Sequence, residues 1–345
     1  MTALRIRRPD DWHLHLRDGA HMAAVLPFTA ARFARALVMP NLKPPMTTTG
    51  ALAQYRARIL QALPAGLDFQ PLMTLYLTDR TPPAEIRAAQ ASGFVVGAKL
   101  YPAGATTHSD AGVTSIDHCW GTLETMAEAV LVLQVHGEVT AADVDVFDRE
   151  REFIDRVLSR IVERLPTLKV VFEHVTTAAA VEFVRNARAG FAATITPQHL
   201  LLNRNAMFDG GLRPHHYCLP VLKRERDREA LVAAATGVDP RFFLGTDSAP
   251  HARHTKEAAC GCAGVFSAHA GIELYAEAFE AAGRLDRLEA FAAERGADYY
   301  GVPRNAGYIT LESGEWPVPA SYPFGDDELV PMRGGGTLGW RLVAE

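Results

Sequence analysis

The sequence predicts an α/β fold, specifically a (β/α)8 barrel, on three observations. Short β-rich apolar runs alternate with amphipathic stretches along the 345-residue chain. Eight such runs can be counted, at 5–14, 35–39, 68–77, 94–100, 130–136, 169–174, 191–196 and 241–245. Runs such as Leu131-Val132-Leu133-Gln134-Val135 are apolar on both faces, as parallel strands covered by helices must be. A doubly wound open sheet is the structural alternative, because a count of strands does not prove closure.

Between the runs lie helical stretches at 49–63, 83–92, 115–128, 146–165, 177–187 and 224–235. Thr49, Thr177 and Ser115 are the expected caps, since a hydroxyl can accept from a free N–H of the first turn. The whole chain, 1–345, reads as a single barrel domain. Residues 305–345, rich in Gly and Pro, read as a C-terminal extension packed on it.

Composition narrows the function. The chain is 48% hydrophobic and 22% charged, with a formal net charge of -5 and no block of like charge. Neither a nucleic-acid nor an anionic-membrane partner is expected. The N-terminal MTALRIRRPDDWHLHLRDG lacks the apolar run of a signal peptide, and no window is long enough to span a membrane. Cys119, Cys218, Cys260 and Cys262 are too sparse for a disulfide framework and fit a reduced, cytoplasmic protein. Cys260 and Cys262 are too close for the usual zinc-knuckle spacing and read as plain thiols.

The chemistry lies at the C-terminal ends of the expected strands, which in a barrel open onto one face. His13 and His15 are two apart in an extended segment, so both rings point to one side and can share a metal. Chance pairing is the plain alternative among thirteen histidines. His136 and His174 end successive apolar runs; each alone reads as a rim histidine, while the two together read as a second metal pair. Lys99 sits among Val, Ala and Leu. It is either snorkelling or paired, or its burial keeps the amine neutral and able to add carbon dioxide. The resulting carbamate could bridge two cations. Asp247, after FFLGT, is either a cap or a metal-binding carboxylate that takes a proton from metal-activated water.

These residues fall in a run of motifs: HxHxRD at 13–18, MPN at 39–41, GxKLYPAGATT at 97–107, VHGE at 135–138, EH at 173–174, TITPQHL at 194–200, GTDSAPH at 245–251 and KExxCGCAGVFSA at 256–268. Together the motifs resemble the shorter, bacterial-type dihydroorotases of the amidohydrolase superfamily. The resemblance implies a metal-dependent amidohydrolase barrel that interconverts N-carbamoyl-L-aspartate and L-dihydroorotate in pyrimidine (UMP) biosynthesis. It implies two Zn2+ per subunit: one held by His13, His15 and Asp247, the other by His136 and His174. Carboxylated Lys99 (N6-carboxylysine) and a hydroxide would bridge them. The hydroxide would be the nucleophile and Asp247 the general base and acid.

The resemblance further implies substrate contacts from Arg17, Asn41 and His251, backbone contacts from Leu219 and Ala263, and a lid carrying Thr106 and Thr107. It also implies a homodimer. Arg17 presents a planar fork suited to a carboxylate, although any surface arginine can be a solvated charge. His251 could bind the substrate carboxylate or orient Asp247. Segment 104–112 is either a hinged lid or an ordinary flexible loop. A hydantoinase or allantoinase is the nearest rival, since the metal centre alone does not separate the cyclic-amide hydrolases. A silent barrel that only binds a partner enzyme and a structural zinc protein are the rivals of other classes.

Overall fold

The computed structural model describes residues 2–259 and 261–343, so the reading of Cys260 falls outside the described residues. The expected strand 5–14 is two strands, β1 (Ala3–Arg7) and β2 (Asp10–Leu14). Pro9, which has no N–H to give a ladder, stands at the break between them. From β2 onward, eight parallel strands pair in chain order. They continue through β3 (Arg35–Val38), β4 (Gln70–Leu77), β5 (Val95–Leu100), β6 (Val132–Val135), β7 (Val170–Phe172), β8 (Phe191–Ile195) and β9 (Phe242–Leu244).

Closure is made just past the end of β9. Asp247 N donates to His13 O at 2.8 Å and His15 N donates to Ser248 O at 3.1 Å. Buried Asp11 reinforces the seam by accepting from Thr246 N (2.8 Å), Thr246 Oγ1 (2.6 Å) and His13 N (3.1 Å). The sheet is therefore a (β/α)8 barrel rather than an open sheet.

The helices start where a side chain can satisfy their first N–H groups. Thr177 accepts from Ala180 N, and Ser115 caps a short 3-10 turn, Ile116–His118, ahead of helix Trp120–Glu128. The cap of helix Thr49–Ala62 is Thr48, which accepts from Ala51 N; Thr49 instead donates to Glu85 from both its N–H and its hydroxyl. The stretch expected at 146–165 is helical from 149 to 164, with a π-turn at Ile154–Leu158. Helix Gly19–Arg32, absent from the sequence reading, has Pro27 in its interior.

The chain end builds strands of its own. β10 (Tyr308–Pro317) pairs antiparallel with β1, and β13 (Thr337–Val343) pairs with β10. Between them β11 (Tyr322–Phe324) and β12 (Asp327–Leu329) form a hairpin. At one end of the barrel Trp12 stacks flat on Tyr300, with ring centroids 4.3 Å apart. Among the described residues no helix is long and apolar enough to cross a membrane.

Candidate metal centre and substrate pocket

Six of the predicted residues meet at the C-terminal mouth. Four imidazoles form a chain: His15 to His13 at 5.3 Å between ring centroids, His13 to His174 at 5.0 Å, and His174 to His136 at 4.8 Å. Asp247 Oδ1 lies 3.1 Å from His15 Nε2 and 3.4 Å from His13 Nε2. One ligand atom each from His13, His15 and Asp247 falls within 4.8 Å of the others. Lys99, on β5, is fully buried, and its ammonium lies 5.3 Å from the Tyr101 ring centroid.

The backbone is strained where it aims these groups. His174 has φ 40°, Asp247 φ 46° and Arg17 φ 63°, all in the left-handed region that L-residues avoid. Each therefore turns its side chain off the line of its strand and into the mouth.

Burial sets the protonation states. It drives the His13 and His174 rings well below their ordinary pKa, with the Lys99 amine adding to the effect. Neutral imidazoles are the form that ligates metals. Burial also pushes Lys99 down to about 8, against the pull of Glu173 and Asp247. For Asp247 burial acts upward, but His13, His15 and Lys99 outweigh it and hold the carboxyl at about 2.

Three carboxylates that the sequence reading gave no role support this arrangement, two of them inside the quoted VHGE and EH strings. Glu173 Oε2 lies 2.9 Å from His13 Nδ1 and accepts from Thr194 Oγ1 at 2.5 Å. Glu138 Oε2 lies 2.9 Å from His136 Nε2. Asp11 accepts from the backbone of His13. A histidine that ligates a metal is commonly oriented through its other nitrogen by such a group. The i+2 spacing of Glu138 from His136 and of His13 from Asp11 was a usable signal. Glu173 stood in the quoted EH string, but its partner could not be read there, because it serves a histidine on a different strand.

Arg17, Asn41, Leu219 and Ala263, with Thr106 and Thr107, line one small cavity of about 20 Å³ together with His13, His15, His136, His174 and Asp247, while His251 lies outside that lining. Arg17 Nε donates to Pro250 O at 2.8 Å, and its Nη2 lies 2.9 Å from His251 Nε2. That same Nε2 lies 3.0 Å from Ala263 O, so it can serve only one of the two at a time. The segment carrying Thr106 and Thr107 is docked over the mouth. Asn41 Nδ2 donates to Thr107 O at 3.0 Å, and Thr107 Oγ1 reaches Ala263 O at 3.4 Å.

Comparison with known proteins places the chain. Residues 10–312 match the model of the amidohydrolase family. The chain belongs to that family. Within it, a dihydroorotase from Azoarcus sp. (strain BH72) is 65% identical over 99% of this chain and 100% of its own length. A crystal structure of dihydroorotase from Campylobacter jejuni is 34% identical, with a TM-score of 0.91 over 99% of this chain and 98% of that one. The dihydroorotase of Saccharomyces cerevisiae in complex with 5-fluoroorotic acid is 31% identical, with a TM-score of 0.91 over 99% of both chains.

For an amidohydrolase, the cluster of His13, His15 and Asp247 marks a metal site. The neighbouring donors fit such a group. Lys99 Nζ, His174 Nδ1, Glu173 Oε1 and Glu138 Oε1 are all buried with no hydrogen-bond partner. Orphaned polar atoms cost about 1–3 kcal/mol each, and four such atoms beside the cluster, without a partner among the described residues, fit a site that binds a metal.

Proposed function

We propose that this protein is a dihydroorotase, closing N-carbamoyl-L-aspartate into L-dihydroorotate and reopening it in pyrimidine (UMP) biosynthesis. One observation carries the reading: the histidine and aspartate donors share a single cavity with Arg17 and Asn41 under a docked loop, and His251 contacts Arg17 from just outside it. A substrate that combines a cyclic amide with a carboxylate matches both halves. Full-length relatives named dihydroorotase support it.

In this reading His13, His15 and Asp247 would hold one zinc ion and His136 and His174 a second, and Lys99, once carboxylated, would contribute to holding both. When bound, they supply Lewis acidity and bring the pKa of a coordinated water toward 7. The chain's residues do the rest. Arg17 and Asn41 hold the substrate carboxylate, Arg17 through a planar fork already fixed at Nε by Pro250. His251 completes that set. Asn41 exchanges its bond to Thr107 O for one to the substrate. The backbone of Leu219 and Ala263 orients the ring, and Thr106 and Thr107 exclude water. In ring opening, Asp247 takes the proton of the attacking water and returns it to the departing ring nitrogen. In closure it removes a proton from the ureido nitrogen, which attacks the carboxylate carbon, and returns that proton to the carboxylate oxygen, which leaves as hydroxide when its C–O bond breaks.

A hydantoinase reading accounts for the metal donors but leaves Arg17 without a carboxylate to bind. The test measures hydrolysis of dihydroorotate, hydantoin and allantoin alongside zinc content on one sample. Turnover of hydantoin or allantoin without dihydroorotate would reject the assignment. Absence of bound zinc in an active sample would reject the metal count. A cytoplasmic homodimer is proposed on the family resemblance, and light scattering at micromolar concentration tests the dimer.

A further inference from the structure

Lys256 closes the short helix Arg253–Lys256 and is buried, with 4% of its surface exposed. Among the described residues no carboxylate pairs with it. Its ammonium donates instead to three backbone carbonyls: Gly264 O at 2.6 Å, Tyr217 O at 2.8 Å and Cys262 O at 2.9 Å. An ammonium has three protons and all three are used. Beside these oxygens it has the Tyr217 ring, 5.8 Å away at its centroid. A buried cation without a carboxylate is costly to keep, so what it holds in place is informative.

Two of the three acceptors flank Ala263. Lys256 grips the carbonyls of Cys262 and Gly264, while the Ala263 carbonyl between them is met by Thr107 Oγ1 (3.4 Å) and His251 Nε2 (3.0 Å), and Ala263 lines the cavity. The third acceptor, Tyr217 O, also receives Gly264 N at 3.0 Å and lies two residues before Leu219. One ammonium thus ties together the two segments whose backbone faces the substrate.

We infer that Lys256 is a positioning residue for substrate binding and for docking of the 104–112 loop, acting through the Ala263 carbonyl rather than through the metal centre. The inference rests on the dihydroorotase reading. It goes beyond it by assigning the KM of that reaction to a side chain outside the cavity.

The test uses zinc-loaded full-length enzyme. Lys256→Met removes the donors at similar length. KM for dihydroorotate should rise tenfold or more, kcat should change less than threefold, and zinc content should match the parent. Thr107→Val should raise KM in the parent yet add less than twofold in the Lys256→Met background, because both act through one carbonyl. Lys256→Gln keeps two N–H donors and is read the same way if Lys256→Met does not fold. An unchanged KM, a fall in zinc content with KM intact, or full additivity with Thr107→Val would each overturn the inference. If the parent enzyme fails to turn over dihydroorotate, the functional reading fails instead, and the Lys256 variants are not needed to see it.

Discussion

Glu173→Gln isolates what a buried carboxylate does for the metal site. The substitution conserves shape. A glutamine Oε1 placed where Glu173 Oε2 lies can still accept from His13 Nδ1 and Thr194 Oγ1. What disappears is the negative charge behind the His13 ring. Loss of such an orienting group lowers metal affinity by about 10–100-fold, equivalent to roughly 1.4–2.7 kcal/mol. The metal-free fold should respond in the opposite direction. Burial pushes Glu173 up to about 7, from an ordinary value near 4.5. Above pH 7 the folded protein therefore holds an ionised carboxylate that the unfolded chain would hold more cheaply. That penalty is about 3 kcal/mol by order of magnitude. At pH 8 the metal-free variant should be at least as stable as its parent while binding zinc more weakly. Competition against a chromophoric chelator measures the first quantity, and urea unfolding of apo-protein measures the second. Zinc affinity within twofold of the parent, or an apo-variant several kcal/mol less stable at pH 8, would refute this account of Glu173.

Asp247→Asn should retain bound metal but lower kcat for dihydroorotate by about 10²–10⁴-fold, the usual range for a lost general acid–base; near-parental turnover would remove Asp247 from that role. His269, packed between Phe266 and Tyr322, is pushed by burial down to about 3. The unfolded chain takes up that proton near pH 6.5, so stability is lost as pH falls from about 6.5 toward 3. His269→Phe should reduce the parent's loss between pH 6.5 and 5 by about 2 kcal/mol, read by urea unfolding at both values. Gly137→Ala would set a methyl 2.0 Å from the Phe172 ring, between His136 and Glu138. It should cost about 1–3 kcal/mol from overpacking and weaken zinc binding together, and a shift in only one of the two would show that the His136–Glu138 contact is not what Gly137 protects.

The barrel was legible because its strands are buried on both faces and so read as apolar runs bounded by polar residues. The error at 5–14 has another origin. The polar stretch Arg7-Arg8-Pro9-Asp10-Asp11 marks the break, but Asp10 and Asp11 are buried in β2, and only pairing partners separate a strand that joins the barrel from one that joins the chain end. Helix Gly19–Arg32 escaped notice because Pro27 interrupts its pattern. The residues proposed as metal donors could be picked out because each sits at the end of such a run, and three of them, His13, His15 and Asp247, cluster as a metal site. Glu173 could not, since its partner His13 stands 160 positions earlier and meets it only through the curvature of the sheet. Lys256 was invisible for a related reason: its partners are carbonyls, which every residue possesses and no sequence pattern advertises.

The strand at the front of the chain, β1, finds its partner very late. Ala3 sits opposite Glu312, and Arg7 opposite Tyr308. During synthesis β1 must wait as an unpaired edge until residues 308–312 have emerged. Every nascent chain that stalls before residue 308 therefore carries a bare strand beside an otherwise buildable barrel. Truncations in the last forty positions should reveal themselves less as lost catalysis than as aggregation of newly made protein.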